Sequence, residues 1–308
     1  MSSATTVVSP GLKSSSGRRD LGSRLGAFVA LTKPRIIELL LVTTLPTMFV
    51  AARGLPAVSL MVATLVGGTL AAGGANAINM YIDRDIDAVM QRTANRPLVT
   101  GAVSPASALI FAIGLEVAAF AELWAAVNLL SAVLAVSATL FYVFVYTLWL
   151  KRASRQNIVI GGAAGAVPVL VGWAAVTGTI GLAPILLFAL IFVWTPPHFW
   201  ALAIKYRADY ASVDVPMMPV VATFQRTAGL IVAYSVLVVA VSGAFGWAAR
   251  MGPLYWAVAG ITGTVFVALA VRLYRGQTEK RAMVLFHWSI SYVTLLFAAM
   301  AVDELIRH

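Results

Sequence analysis

Along the chain, long runs of apolar residues are separated by short polar breaks, and no apolar/polar alternation appears inside the runs. They fall near residues 36–53, 57–81, 104–121, 125–149, 158–176, 180–201, 227–247, 253–273 and 282–302. A helix needs about 20 apolar residues to cross a bilayer, whereas a barrel strand needs about half that length and alternates. The pattern therefore predicts an all-α, polytopic membrane protein of about nine transmembrane helices packed as a bundle, with the termini on opposite sides. Residues 1–28 differ. They are rich in Ser, Thr and Gly, carry Lys13, Arg18, Arg19 and Arg24, and lack the apolar core of a secretory signal. They are expected to form a disordered basic cytoplasmic tail, with a mitochondrial transit segment as the lesser alternative. Residues 29–308 form one transmembrane domain.

Composition sharpens this picture. The 308 residues are 60% hydrophobic and 11% charged, with a mean hydropathy of +0.89. Soluble domains run nearer to about 45–50% apolar and about 25% charged. The absence of cysteine excludes disulfides, thiol nucleophiles and thiolate metal centres. Three histidines, His198, His287 and His308, argue against a His-rich metal site.

Charge fixes the orientation. Of the 22 Lys and Arg residues, 19 fall in the tail and in the loops after spans two, four, six and eight, leaving only Arg53, Arg250 and Arg307 for the other side. The positive-inside rule makes the first side cytoplasmic, with the N-terminus in and the C-terminus out. The net charge of +10 is thereby explained without a nucleic-acid partner. The expected location is a plasma or inner cell membrane, with the mitochondrial inner membrane less favoured.

The acids are rare and concentrated. Asn79, Asp83 and Asp87 are spaced i, i+4, i+8 and line one helix face, with Asp85 between them. Carboxylates stacked at a helix C-terminus repel one another and the helix dipole unless a cation neutralises them. An oxygen-only donor set suits Mg²⁺, which fills its remaining positions with water and phosphate oxygens. Arg92 and Arg96 follow within two turns. Acid, metal and guanidinium together describe a diphosphate site; the alternative is a solvated loop whose acids pair with its own arginines.

Two further segments carry candidate chemistry. After span six, His198 and Lys205 share a helix face, and Asp209 and Asp214 follow in the loop. His198 reads equally as a hydrogen-bonded structural residue or as a ligand, and Asp214 as an ordinary loop acid. At the exit of span four, Tyr142 and Tyr146 share a face beneath Lys151 and Arg152. They read as an interfacial aromatic belt or as a pair flanking a cation next to a phosphate.

Taken together these motifs resemble the UbiA-type intramembrane prenyltransferases, most closely their protohaem farnesyltransferase branch. The likeness runs from Lys33-Pro34-Arg35 to the last span. Asn79-x3-Asp83-x3-Asp87 with Arg92-Thr-Ala-Asn95-Arg96-Pro97 is similar to the superfamily's first Asp-rich motif, and Tyr146-Thr-Leu-Trp-Leu-Lys151-Arg152 to its loop before span five. Trp194-Thr-Pro-Pro-His198 through Arg207, and Pro216-Met-Met-Pro219, are similar to the haem branch. Two departures thin the acidic sets: Met80 and Ala208 stand where relatives often carry a further acid.

The resemblance implies nine helices around a central cavity and farnesyl transfer from farnesyl diphosphate to a vinyl group of protohaem IX. Protohaem is then a substrate, and Mg²⁺ the cofactor. It further implies Mg²⁺ on Asp83, Asp87 and Asp209, with Asn79 orienting the cluster. Lys151, Arg152, Arg92, Arg96, Lys33 and Arg35 would bind the diphosphate, Tyr146 (or Tyr142) would flank the allylic cation, and His198 would position the haem. Expected partners are the membrane lipid and a downstream haem-modifying membrane enzyme. The same-fold alternative is a prenyltransferase for an aromatic acid or quinone precursor. The alternative of another class, a transporter, needs mid-membrane polar residues in several spans, and only Glu116 comes close.

Overall fold

The computed structural model describes residues 17–307, with side chains except at residues 17–21, 35, 36 and 39–41. The expected tail thus lies mostly outside the described residues. Its last part departs from expectation: α1 (Gly17–Leu31) is helical. Its inner end is held because Leu31 is fully buried, and Ala27 and Phe28 pack with it against Ala77, Met80, Ala108 and Phe111.

All described secondary structure is helical. After α1 come α2 (Pro34–Ala52), α3 (Val58–Ile82), the short α4 (Arg84–Val89) and α5 (Pro105–Ala126). Helix α6 (Leu129–Leu140) continues through a π-helical stretch, Phe141–Leu150, into α7 (Lys151–Ala153). Then follow α8 (Asn157–Thr177), α9 (Leu182–Lys205), the short α10 (Arg207–Ala211) and α11 (Met218–Val221), and finally α12 (Phe224–Ala248), α13 (Pro253–Gly276) and α14 (Glu279–Arg307). Among the described residues, eight helices are long and apolar enough to cross a bilayer, counting α6 through α7 as one. Helix α2, 19 residues long, takes the place of the first expected span. The chain is a multi-pass membrane protein.

Local signals start and stop these helices. Ser104, Asn128 and Thr223 accept from the backbone N–H three residues on and cap α5, α6 and α12. Helix α8 ends at Gly178, whose φ of 66° a glycine adopts without strain. Several helices, α14 among them, run past the apolar windows because polar residues continue a helix as readily outside the bilayer as inside it.

Small residues set the packing. Helices α3 and α5 meet closely through Ala71, Gly74, Ala77, Ala108, Ala112 and Ala119, as membrane helices do when dispersion replaces the hydrophobic effect. Glu116 sits at that contact, where it accepts from Thr139 of α6 beside Gly74. Helix α9 packs against α8, α12 and α14 around Trp194, Trp200, Phe245, Phe266, Tyr292 and Phe297. Lipid-facing positions stay apolar, as at Ile110, Val117 and Ile261. The two long connections, 83–104 and 206–223, lie at the same end of the bundle and join through Ile86, Met90, Tyr210, Val215 and Met217. That end carries the acid ladder.

Candidate active site

The ladder forms where α3 gives way to α4. Asp83 is the junction residue, yet the helical bonds continue: Asp83 N–H donates to Asn79 O and Asp87 N–H to Asp83 O, each at 2.9 Å. One face is therefore preserved, and it points inward. Asn79, Asp83 and Asp87 are 4%, 0% and 2% exposed. Asp85 points outward, with a side chain 59% exposed.

Buried carboxylates require partners, and each has a cation. Lys151 pairs with Asp83 and Arg96 with Asp87. Asn79 donates to Asp83 at 2.8 Å and accepts from Lys33 Nζ at 2.9 Å. Burial, with Arg96 and Lys151 nearby, lowers the Lys33 pKa to about 7 against the opposing pull of Asp83 and Asp87. Arg152 is bidentate to Asp85, both contacts at 2.7 Å, and holds that carboxyl down at about 2. Asp83 Oδ1 is buried and has no hydrogen-bond partner. The Arg35 side chain lies outside the described residues.

The Lys33 shift gives a pH prediction. Above pH 7 the free protein loses this ammonium, whereas a diphosphate bound beside it would favour the protonated form. Pyrophosphate affinity, measured by calorimetry in detergent, is expected to fall as pH rises from 7 to 9. In Lys33→Gln the affinity is lower at pH 6.5, and its decline with pH is shallower. An identical pH slope in both proteins contradicts this role.

A residue the sequence reading missed is Thr147. It is fully buried, accepts from Asn79 Nδ2 at 3.2 Å and donates to Tyr142 O at 2.8 Å. The i→i+5 relation belongs to the π-helix, as does the Lys151 N–H bond to Tyr146 O. Such stretches are uncommon and often mark functional sites. Here the π-helix brings Thr147 and Lys151 to the ladder and stacks Tyr142 on Tyr146, with ring centroids 5.4 Å apart. Behind Tyr146 lies Gly161 of α8; a Cβ there would clash with the ring. Gly161→Ala is therefore expected to displace Tyr146 and cost about 1–3 kcal/mol of stability, read as a lower unfolding temperature with reduced turnover. Wild-type stability and turnover would show that the ring's place is unimportant.

The second loop touches the first through Arg92. Its backbone N–H donates to Asp209 at 3.4 Å, and its guanidinium lies 5.3 Å from the Tyr206 ring and 5.7 Å from that of Tyr210. Arg92 thus faces the loop rather than Asp83 or Asp87. Among the described residues no three His, Asp or Glu side chains are grouped closely enough to hold a metal alone. Asp209 approaches the ladder's loop without joining Asp83 and Asp87 in such a group.

His198 is 7% exposed in α9, stacked between Trp194 and Phe286 with centroids at 4.3 and 4.7 Å. Ser289 Oγ donates to Phe286 O at 2.6 Å. His198 Nδ1 then donates to Ser289 Oγ, 2.7 Å away, which leaves Nε2 as the basic nitrogen.

The UbiA prenyltransferase family matches residues 40–291. Protoheme IX farnesyltransferase of Streptomyces coelicolor is 52% identical over 303 residues, covering 96% of each chain. The protein of that name from Parafrankia is 54% identical over 287 residues, covering 92% of this chain and 91% of its own. Among solved structures, a digeranylgeranylglyceryl phosphate synthase superposes with a TM-score of 0.76 over 92% of this chain and 99% of its own, at 15% identity. A UbiA homologue from Archaeoglobus fulgidus bound to GPP and Mg²⁺ gives 0.61 over 89% and 99%, at 16% identity. At such identity these two show the fold.

Proposed function

The chain belongs to the UbiA prenyltransferase family and is a prenyltransferase, and on that premise we propose that it transfers a farnesyl group from farnesyl diphosphate to a vinyl group of protohaem IX, with diphosphate leaving and one water adding to the vinyl-derived cation with loss of a proton, giving haem O. The chemistry rests on one observation: two buried carboxylates, each matched to a cation, one of which, Asp83, keeps an oxygen with no hydrogen-bond partner. The choice of acceptor rests on the near full-length relatives of that name.

The donor set fits a hard cation. Asp83 Oδ1 is buried without a hydrogen-bond partner, and the carboxylates of Asp83 and Asp87 offer only oxygen ligands. Asp83 and Asp87 would hold Mg²⁺, with Asp209 brought in from the second loop, and the bound ion would neutralise charge on the departing diphosphate. Lys151, Arg96, Arg152 and Lys33 supply the remaining positive charge, which matters most as the allylic C–O bond breaks. Arg92 contributes chiefly by tying the two loops together. Asn79 holds Asp83 in place, and Thr147 holds Asn79. The stacked Tyr142 and Tyr146 present ring faces to the allylic cation, and the surrounding apolar spans keep water from it. The His198 Nε2 lone pair is the group offered to the haem iron, and His198→Ala is expected to weaken haem binding.

This reading places the ladder on the cytoplasmic side of a plasma or inner membrane, in keeping with the basic loops at that end. Supplying membranes with farnesyl diphosphate and equal amounts of protohaem and a hydroxybenzoate separates the acceptors. Farnesylated haem is the expected product. A prenylated hydroxybenzoate with unmodified haem would select the quinone-precursor reading.

A further inference from the structure

Arg152 stands between two carboxylates of different character. Both its terminal nitrogens bond Asp85 at 2.7 Å, while Nη2 is 3.8 Å from Asp83 Oδ1, the buried oxygen without a hydrogen-bond partner. The Asp83 side chain is 0% exposed, that of Asp85 59% and that of Arg152 39%. The guanidinium is thus held at the rim by an exposed acid, one contact away from the buried site. Bidentate geometry fixes its orientation, and exposure keeps the pair weak enough to exchange.

We propose that Asp85 is the exchange partner of Arg152: it holds the guanidinium at the rim in the free enzyme, yields it to an incoming diphosphate, and takes it back as the product diphosphate leaves. Asp85 is then a positioning residue that acts through Arg152, distinct from the buried Asp83 and Asp87 on either side of it. This rests on the reading that Arg152 binds diphosphate. The expected sign is unusual: loss of this acid tightens binding at a site where loss of its neighbours weakens it.

The probe is inorganic pyrophosphate with Mg²⁺, titrated into the full-length enzyme in detergent, alongside steady-state kinetics with farnesyl diphosphate. Asp85→Asn is expected to bind pyrophosphate about threefold to tenfold more tightly, the scale of one charge-assisted hydrogen-bond pair. KM for farnesyl diphosphate and kcat fall together as release slows. Asp85→Glu behaves as the parent. In the Asp85→Asn/Arg152→Gln double variant the gain disappears. Unchanged or weaker binding by Asp85→Asn overturns the inference, and so does a gain that survives removal of Arg152, because it then reflects net charge alone. If Arg152→Gln by itself leaves pyrophosphate binding untouched, the underlying diphosphate reading of Arg152 fails first.

Discussion

Asp83→Asn is expected to leave the bundle folded and to lower kcat by about 100- to 1,000-fold, the scale of removing one preorganised electrostatic contributor from a buried site. The asparagine retains a carbonyl oxygen to accept from Asn79 and fills the same volume. It removes the charge that answers Lys151 and any Mg²⁺. Asp83 is the fully buried rung of the ladder, the one with an oxygen lacking a partner, so no neighbouring acid replaces it. Turnover in proteoliposomes, with unfolding temperature as control, checks this. Full turnover at saturating Mg²⁺ would remove Asp83 from the chemistry.

Lys151→Met carries the second large effect, on stability as well as activity. It leaves the Asp83 carboxylate buried with Arg152 as its nearest remaining cation, at 3.8 Å. Breaking one half of a buried pair costs about 3–5 kcal/mol, more than the pair itself contributes, because the remaining charge stays desolvated. Approach of Arg152 would place the cost at the low end. The Asp83→Asn/Lys151→Met double variant removes both charges and is expected to recover most of the unfolding temperature but none of the turnover. Thermal unfolding followed by tryptophan fluorescence, paired with an activity assay, separates the two. If the double variant melts as low as Lys151→Met, the loss came from packing around the lysine rather than from the orphaned carboxylate.

The sequence made the helices and the ladder readable for one reason: each is a local periodic signal. Twenty apolar residues suffice for a span, and the i, i+4 spacing put Asn79, Asp83 and Asp87 on one face before any tertiary contact was known. The structure keeps that face even though the helix divides at Asp83. What local pattern cannot carry is pairing across distant segments. Lys151 with Asp83, Arg152 with Asp85, and Lys33 with Asn79 depend on α2, α3 and the end of α6 meeting at one end of the bundle. Thr147 was hidden for a related reason. Within an aromatic, apolar run only Lys151 lies at helical spacing from it, and its bond to Asn79 comes from a distant segment. Arg92 shows the same dependence on distant segments. Its proximity to the ladder in sequence suggests a phosphate ligand, and the fold sets its guanidinium beside Tyr206 and Tyr210 and its backbone N–H on Asp209. Residues 17–28 read as coil from composition, yet α1 is fastened at its inner end by Phe28 and Leu31.

Haem extracted from cells that express or lack this protein tests the central claim most directly, by mass and absorption spectra together. Expression is expected to convert protohaem to a hydroxyethylfarnesyl derivative, with loss of one vinyl group and a shifted absorption band, and Asp83→Asn is expected to abolish the conversion. Protohaem that remains unmodified in cells with abundant, folded protein and ample farnesyl diphosphate would contradict it.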